Sequence, residues 1–111
     1  MYCSRYVAKG VVYNLVEHIV LFKWKADTSA SSIDALMRAL RNLQTEIPGI
    51  VSLSLGEDFT GRSQGYTHCL HVQFESREAL AAYGPHEAHQ AVVQTHINPI
   101  REAVLAFDFE H

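Results

Sequence analysis

Between Thr67 and His89 the spacing of apolar residues changes from the two-residue period of a strand to the period of a helix. Of all features of the sequence, this change restricts the possible folds most. Residues 67–74 alternate as a half-buried strand should. The side expected to be buried carries His68, Leu70, Val72 and Phe74. From Ser76, a predicted N-cap, the pattern is helical until Gly84-Pro85. A second helix is predicted to begin there with Pro85 in its first turn, where no N–H is needed.

Three further strands and one long helix are predicted from the remaining sequence. Residues 16–24 form a strand rich in β-branched and aromatic side chains, and residues 50–55 and 104–109 also read as strands. Apolar residues at three- and four-residue steps predict a helix over 33–47, capped by Ser31 or Ser32 and ended by Pro48-Gly49. Asn98-Pro99 is predicted to end the second helical segment, and a short helical turn to follow over 100–102.

The order strand, helix, strand, strand, helix, strand predicts an α+β, ferredoxin-like βαββαβ fold. In this fold a four-stranded antiparallel sheet carries its helices on one face. The other face would carry Ile19, Leu21 and the row Thr67, Cys69, His71, Gln73. Because that face is partly apolar, we expect a second copy of the chain to cover it, giving a homodimer through the open sheet face and a dimeric α/β barrel.

The 111 residues suffice for one domain, which we place at residues 15–111 after a flexible N-terminal extension over residues 1–14. The extension contains Arg5 and Lys9 but no acidic residue, which also resembles a transit peptide; a frayed tail is the favoured interpretation. Cys3 and Cys69 show neither metal-ligand nor redox spacing, so we expect a reducing compartment, the cytoplasm.

Charge and hydropathy restrict the partners. The net charge of −3 and the absence of a basic cluster argue against nucleic acid and anionic membranes. No apolar run reaches the ~18 residues that a membrane-spanning helix needs. The glycine-containing loop over 56–65 is followed by a strand, whereas a phosphate-binding loop is followed by a helix, so we predict no phosphate site.

Histidines and one tyrosine are the candidate functional residues. His18 and His68 each head an apolar row, and because their strands are predicted neighbours we expect both imidazoles at one end of one face. His89 is predicted to point inward with Val93 and His96, at 100° per helical residue. We place His86 at the rim of the space between helices and sheet, and Tyr83 at its mouth.

This inventory suits the removal of a proton beside a carbonyl group. A neutral histidine is a workable base near pH 7, and a tyrosine hydroxyl or a second imidazole can hydrogen-bond the developing enolate oxygen. The competing interpretation is that these histidines are hydrogen-bonded structural groups. His18, His68 and His89 could also hold zinc, but no short-range ligand pair or nearby carboxylate supports this, so neither metal nor cofactor is predicted.

The chain resembles the stress-responsive A/B barrel (Dabb) family from Val16 to Phe109. The similarity is carried by five segments: Glu17 to Lys23, Gly56-Glu57-Asp58 leading to Gly65-Tyr66-Thr67-His68, Val72 to Ser76, Tyr83 with His86 and His89, and Phe107-Asp108. The resemblance implies a homodimer whose two sheets form one barrel. The family usually has the order Tyr-x-x-His-Pro-x-His, whereas here Pro85 precedes His86 and Glu87 follows it.

The family also includes a plant polyketide cyclase, which closes the ring of a linear tetraketide-CoA by aldol condensation. Its active-site histidines and tyrosine match His18, His68, Tyr83 and His89. The resemblance therefore implies that His89 acts as the base, that Tyr83 orients or polarises the substrate, and that His18 and His68 line the polar end.

Three functions follow as alternatives. The first is a dimeric binding protein whose hydrophobic, His- and Tyr-lined pocket holds a small hydrophobic or polyketide-like molecule. The residues predicted to bind that molecule are Val20, Phe22, Leu70, His86 and Val93. The second is a cofactor-free polyketide cyclase or related lyase with catalytic His89, Tyr83, His68 and His18. The third is a cofactor-independent quinol monooxygenase. Catalysis requires that His89 and Tyr83 converge on an open cavity.

Overall fold

A computed structural model describes residues 6–111 of this protein, with residues 6, 8 and 11–13 described by backbone alone. The first two strands, β1 (Tyr6–Ala8) and β2 (Val11–Tyr13), pair as an antiparallel hairpin. Its turn residues Lys9 and Gly10 have φ of 51° and 76°, as a two-residue hairpin turn of the primed type requires. A hairpin thus occupies part of the predicted extension, and the Lys9-Gly10 turn between valines and tyrosines is its sequence signal. Cys3 lies outside the described residues.

The remaining strands form a four-stranded antiparallel sheet in the order β4-β5-β3-β6. Their bounds are β3 Val16–Trp24, β4 Ile50–Glu57, β5 His68–Phe74 and β6 Arg101–Glu110. The helices are α1 Ala30–Glu46, α2 Arg77–Tyr83 and α3 Glu87–Val92, and α3 continues into a π-helical turn at Val93–Ile97. This arrangement confirms the predicted α+β, ferredoxin-like βαββαβ fold.

Helix α1 begins earlier than predicted. Its N-cap is Ser29, whose hydroxyl accepts a hydrogen bond from the backbone N–H of Ser32 at 3.1 Å, so the prediction of Ser31 or Ser32 as the cap was wrong. The apolar stripe of the helix is buried as its period predicted. Leu36, Leu40 and Leu43 are almost fully buried in the core between α1 and the sheet.

The second helical segment is broken where Gly84-Pro85 predicted, but it resumes differently. Ser76 caps α2 as predicted, accepting from the N–H of Ala79 at 3.0 Å. Pro85 is not in the first turn of α3, because the N-cap is His86, whose Nδ1 accepts from the N–H of Ala88 at 3.0 Å. The proline therefore lies before the cap, and it is the imidazole that satisfies a free N–H of the helix.

The π-helical turn ends before Asn98-Pro99, as predicted for the second helical segment. The predicted helical turn over 100–102 is wrong, since β6 already begins at Arg101. The N–H of Lys25 donates to the carbonyl of Ile100 at 2.8 Å, which extends the backbone pairing of β3 with this segment. Cross-strand pairing thus prevails over the local helical pattern here.

The two faces of the sheet differ. One packs against the helices and contains the core residues Val20, Phe22, Leu70, Val72 and Phe74. The other exposes the large side chains of Leu105, Phe107 and Phe109. None of the helices in residues 6–111 has the length and apolar character needed to cross a membrane.

Candidate functional site

A cavity of about 270 Å³ lies between the helix-bearing face of the sheet and the second helical segment. Its walls are mostly apolar and include Val20, Phe22, Leu70 and Val93, four of the five residues predicted to bind a ligand. Its polar lining residues include His18 from β3, Tyr83 from the end of α2 and His89 from α3. The structure thus brings together three of the four predicted catalytic residues.

Tyr83 is only 2% exposed, although it is the last residue of a short helix. Its ring lies against Phe74 and His89, with ring centroids 5.0 Å and 4.4 Å away. Within the described part of the chain its buried hydroxyl has no hydrogen-bond partner. Burial raises the pKa of Tyr83 to about 12, so the hydroxyl keeps its proton at neutral pH. It is therefore an unused hydrogen-bond donor, buried in a residue that lines the cavity.

His89 has one ring nitrogen engaged. Its Nδ1 lies 2.8 Å from the carbonyl oxygen of Gly84, which can only accept, so Nδ1 carries the proton and Nε2 keeps a lone pair. Burial lowers the pKa of His89, and the nearby His18 and His86 lower it further. The hydrogen bond to the Gly84 carbonyl raises the pKa, but the net pKa remains lowered. At neutral pH His89 is thus an uncharged imidazole with an available basic nitrogen.

His18 is held by a residue that the sequence analysis did not single out as functional. Its Nδ1 is hydrogen-bonded to Oδ1 of Asp108, which lies directly opposite it in the β3–β6 ladder. The Asp108 carboxylate fixes the orientation of the ring and leaves Nε2 free. The alternation of the last strand indicates that Asp108 shares a face with Val104 and Ala106. The pairing of that strand with β3, which the sequence does not show, is what places Asp108 beside His18.

His68 lies elsewhere, so the prediction that His18 and His68 share one end of the sheet was wrong. The pairing of β3 and β5 is antiparallel, which places His68 opposite Phe22, about 13 Å along the strand from His18. His68 does not line the cavity. Its Nδ1 instead accepts a hydrogen bond from Nε1 of Trp24 at 3.0 Å, the structural role that the sequence analysis kept as the competing interpretation.

Two other histidines are also directed away. His86, predicted at the rim as a ligand-binding residue, does not line the cavity and caps α3 with its ring. His96 does not share the cavity-facing side of His89 and Val93, because the π-helical turn interrupts the 100° period, and it lies in a groove with Ala39 and Asn42 of α1. Across residues 6–111, no three His, Cys, Asp or Glu side chains are grouped so as to hold a metal ion.

Comparison with known proteins identifies relatives along almost the whole chain. A stress-response A/B barrel domain-containing protein of Arabidopsis thaliana is 32% identical over 96 residues, which are 86% of this chain and 36% of that relative. This chain thus spans about a third of the length of the Arabidopsis protein. Olivetolic acid cyclase of Cannabis sativa is 29% identical over 96 residues, 85% of this chain and 94% of the cyclase.

Solved structures share the fold. The Arabidopsis thaliana protein At3g17210 superimposes with a TM-score of 0.78 at 31% identity, covering 86% of this chain and 94% of that one. A hydroxynitrile lyase from Passiflora edulis has a TM-score of 0.80 at 22% identity, covering 87% and 93%. A dimeric ferredoxin-like protein from Thermobifida fusca has a TM-score of 0.78 at 22% identity, covering 89% and 92%.

The match that decides the family covers residues 16–111, from the start of β3 to the last residue of the sequence. This region contains the sheet, the helices and the cavity with His18, Tyr83 and His89. The chain belongs to the Dabb family, the stress responsive A/B barrel domain.

Proposed function

We propose that this protein is a dimeric binding protein whose cavity takes up a small, largely apolar carbonyl compound. The observation that carries the proposal is the buried hydroxyl of Tyr83, which has no partner in the described residues and belongs to a cavity-lining side chain. An unpaired buried hydroxyl is costly, and a ligand carbonyl that accepts from it removes that cost. The apolar walls supply most of the binding energy, and Tyr83 supplies the orientation.

The dimer in this proposal forms through the open sheet face. Phe107 is 64% exposed there, with Leu105 and Phe109 on the same strand face. Apolar side chains in such a row are stabilised when another surface removes them from water. The dimeric ferredoxin-like protein from Thermobifida fusca has the same fold, which favours a second copy of this chain as the covering surface.

A second candidate function is cofactor-free carbon–carbon bond formation of the aldol type. It is favoured by the position of His89, whose basic nitrogen is free and whose ring lies 4.4 Å from the Tyr83 ring. In this reaction Nε2 of His89 takes a proton from the carbon beside a ketone, and Tyr83 donates to the enolate oxygen that forms. The enolate carbon then attacks a second carbonyl of the same molecule, and His89 returns the proton to the new alkoxide.

Similarity supports this second candidate as well. Olivetolic acid cyclase matches along 94% of its own length, so the matched region contains nearly the whole cyclase. His18 and Asp108 add a hydrogen-bonded imidazole near the same end of the cavity, where it can orient the second carbonyl. The quinol monooxygenase alternative stays a prediction without a supporting observation.

Binding is tested with two ligands of equal length, 2-decanone and decane. We expect Tyr83→Phe to weaken binding of 2-decanone about tenfold, since one hydrogen bond is lost, and to leave decane binding unchanged. Tyr66→Phe is the matched control, because Tyr66 does not line the cavity. Equal affinities of wild type and Tyr83→Phe for 2-decanone would refute the assigned role of the hydroxyl, and no binding of either ligand by wild type would refute the cavity as a site for uncharged ligands.

Catalysis is tested by deuterium exchange and by product formation. Wild type should speed the exchange of the α-protons of 2-decanone in D₂O and should cyclise a linear tetraketide thioester. His89→Ala should lose both activities, whereas His96→Ala, outside the cavity, should retain them. Equal rates for wild type and His89→Ala would exclude His89 as the base.

A further inference from the structure

An irregularity in the pairing of β3 with β6 lies at one end of the cavity. Lys23 pairs with Ala103, but the next residue, Trp24, pairs with Arg101 rather than with residue 102. Glu102 is therefore the extra residue of a β-bulge on β6. A bulge changes the face to which the residues beyond it belong.

The bulge places Arg101 on the cavity side of the sheet. By simple alternation from Val104 and Ala106, which line the cavity, residue 101 would fall on the open face with Ala103 and Leu105. Because Glu102 is extra, Arg101 is instead opposite Trp24, whose face also carries Phe22 and Val20. Arg101 accordingly lines the cavity, together with Asn98.

Among the described residues that line this cavity, Arg101 is the only Lys or Arg. It is exposed, and the ion pairs found in residues 6–111 do not include it. His18 lies at the other end of the cavity. On β3 it is six positions from Trp24, the residue opposite Arg101, and six positions correspond to about 20 Å of strand. The cavity thus runs from an imidazole–phenol end to a guanidinium end, with apolar walls between them.

We propose that Arg101 is a specificity-determining residue that binds a terminal carboxylate, so that the preferred ligand is a keto acid with an apolar middle. The ketone lies at Tyr83 and His89, and the carboxylate meets the guanidinium. Arginine suits this task because its planar fork donates two parallel hydrogen bonds to one carboxylate. The inference rests on the proposed function, since it concerns the other end of the same ligand.

The test compares keto acids with neutral ketones of the same chain length. The probes are 7-oxooctanoate, 9-oxodecanoate and 11-oxododecanoate, each against the corresponding methyl ketone. Binding is followed by the fluorescence of Trp24, the single tryptophan, whose ring is stacked on the cavity-lining Phe22 at 5.2 Å. The best keto acid should bind wild type about tenfold more tightly than its ketone at low salt, and the difference should shrink at high salt.

Arg101→Gln should abolish this preference, so that a keto acid and its ketone bind alike, and Arg101→Lys should retain part of it. Arg41→Gln is the matched control: it removes one positive charge from an exposed position of α1 that does not line the cavity, and it should keep the full preference. Since Arg101 is exposed, the variant should fold, which circular dichroism verifies.

Each outcome separates the inference from the proposed function. If wild type binds the ketones but shows no preference for any keto acid, or if Arg101→Gln keeps the preference, the role of Arg101 is refuted and the proposed function stands. If wild type binds neither ketones nor keto acids, the proposed function fails and the inference fails with it. Binding of the keto acids alone, lost in Arg101→Gln, supports Arg101 and refutes the role of Tyr83 in holding ketones.

Discussion

The imidazole of His18 donates through Nδ1 to the carboxylate of Asp108, its direct neighbour on the adjacent strand β6. The two residues are 90 positions apart in the sequence. With Nδ1 occupied, the free nitrogen of His18 is Nε2, so the carboxylate selects the tautomer as well as the orientation of the ring. Asp108 thus acts through His18 and is a positioning residue for the cavity.

Replacing Asp108 should loosen this ring without unfolding the protein. Asp108→Ala removes a charge-assisted hydrogen bond, but Asp108 is 44% exposed, so we expect a loss of only about 1 kcal/mol of unfolding free energy. NMR of the imidazole should show mixed tautomers of His18 in the variant and a single one in wild type. Asp34→Ala, on the exposed surface of α1, is the control and should leave His18 unchanged. A single unaltered tautomer in Asp108→Ala would contradict the positioning role.

The hydroxyl of Tyr83 should act against stability while serving binding. Because it is buried without a partner in the described residues, Tyr83→Phe should raise the unfolding free energy by about 1 kcal/mol, measured by urea denaturation without ligand. Tyr66→Phe should leave stability within about 0.5 kcal/mol, as for most substitutions outside a core. A marked loss of stability in Tyr83→Phe would show that the hydroxyl already has a partner in the protein.

Most features that depend on local sequence were predictable, although the caps Ser29 of α1 and His86 of α3 were missed, whereas features that depend on distant pairing were not. The stripe of α1, the alternation into β5 and the Ser76 cap follow from neighbouring residues and were predicted. The cavity position of His89 also followed. Tyr83 lines the cavity too, but it is buried and not at the mouth where it was predicted.

Most of the failures at the site have one physical cause, the register of distant strands, and the π-helical turn adds a second. The opposite ends taken by His18 and His68, and the meeting of His18 with Asp108, are set by the register of strands far apart in sequence. The bulge at Glu102 depends on the same long-range pairing. The π-helical turn moves His96 off the face of His89, and no alternation or helical period in the sequence indicates such a turn.

The lowered pKa of His89 predicts a specific pH dependence. In the unfolded chain the histidine binds its proton near pH 6.5, whereas in the folded protein burial delays protonation to lower pH. Just below pH 6.5 the folded state therefore binds fewer protons than the unfolded state. The contribution of His89 to stability is fully present above pH 6.5, and it is lost as the pH falls through the pKa of His89 in the folded protein. NMR titration of the His89 ring should give a midpoint below 6.5. A midpoint above 6.5 would contradict the assignment of His89 as a neutral base.

Glu17 should control stability in acid on the other face of the sheet. Glu17 is 4% exposed, and this burial raises the pKa of its carboxyl group. Hydrogen bonds from His111, His71 and Gln73 lower the pKa by more, so the pKa of Glu17 lies below its ordinary value of 4.5. Its contribution is therefore present above pH 4.5 and lost as the pH falls through the lowered value. Between pH 5.5 and 3.5, wild type should lose more unfolding free energy in urea than Glu17→Gln. Glu46→Gln, at an exposed end of α1, should behave like wild type.

The open sheet face should hold two copies of the chain together, and Phe107 is the residue to change. Phe107 is opposite Ile19 in the β3–β6 ladder, so a charge introduced there would lie among apolar side chains of the open sheet face and would be buried when that face is covered. Burying an unpaired carboxylate is far more costly than the ~2 kcal/mol that a buried phenylalanine contributes. Light scattering should therefore give about twice the chain mass for wild type and one chain mass for Phe107→Glu.

The control is Gln44→Glu, which introduces the same charge at an exposed position of α1, on the opposite side of the sheet. This variant should remain dimeric, because α1 packs on the helix-bearing face and not on the open sheet face. A dimeric Phe107→Glu would place the interface elsewhere, and a monomeric wild type at micromolar concentration would refute it. Phe107 does not line the cavity, so ketone binding by monomeric Phe107→Glu would further show that each protomer forms a complete site by itself.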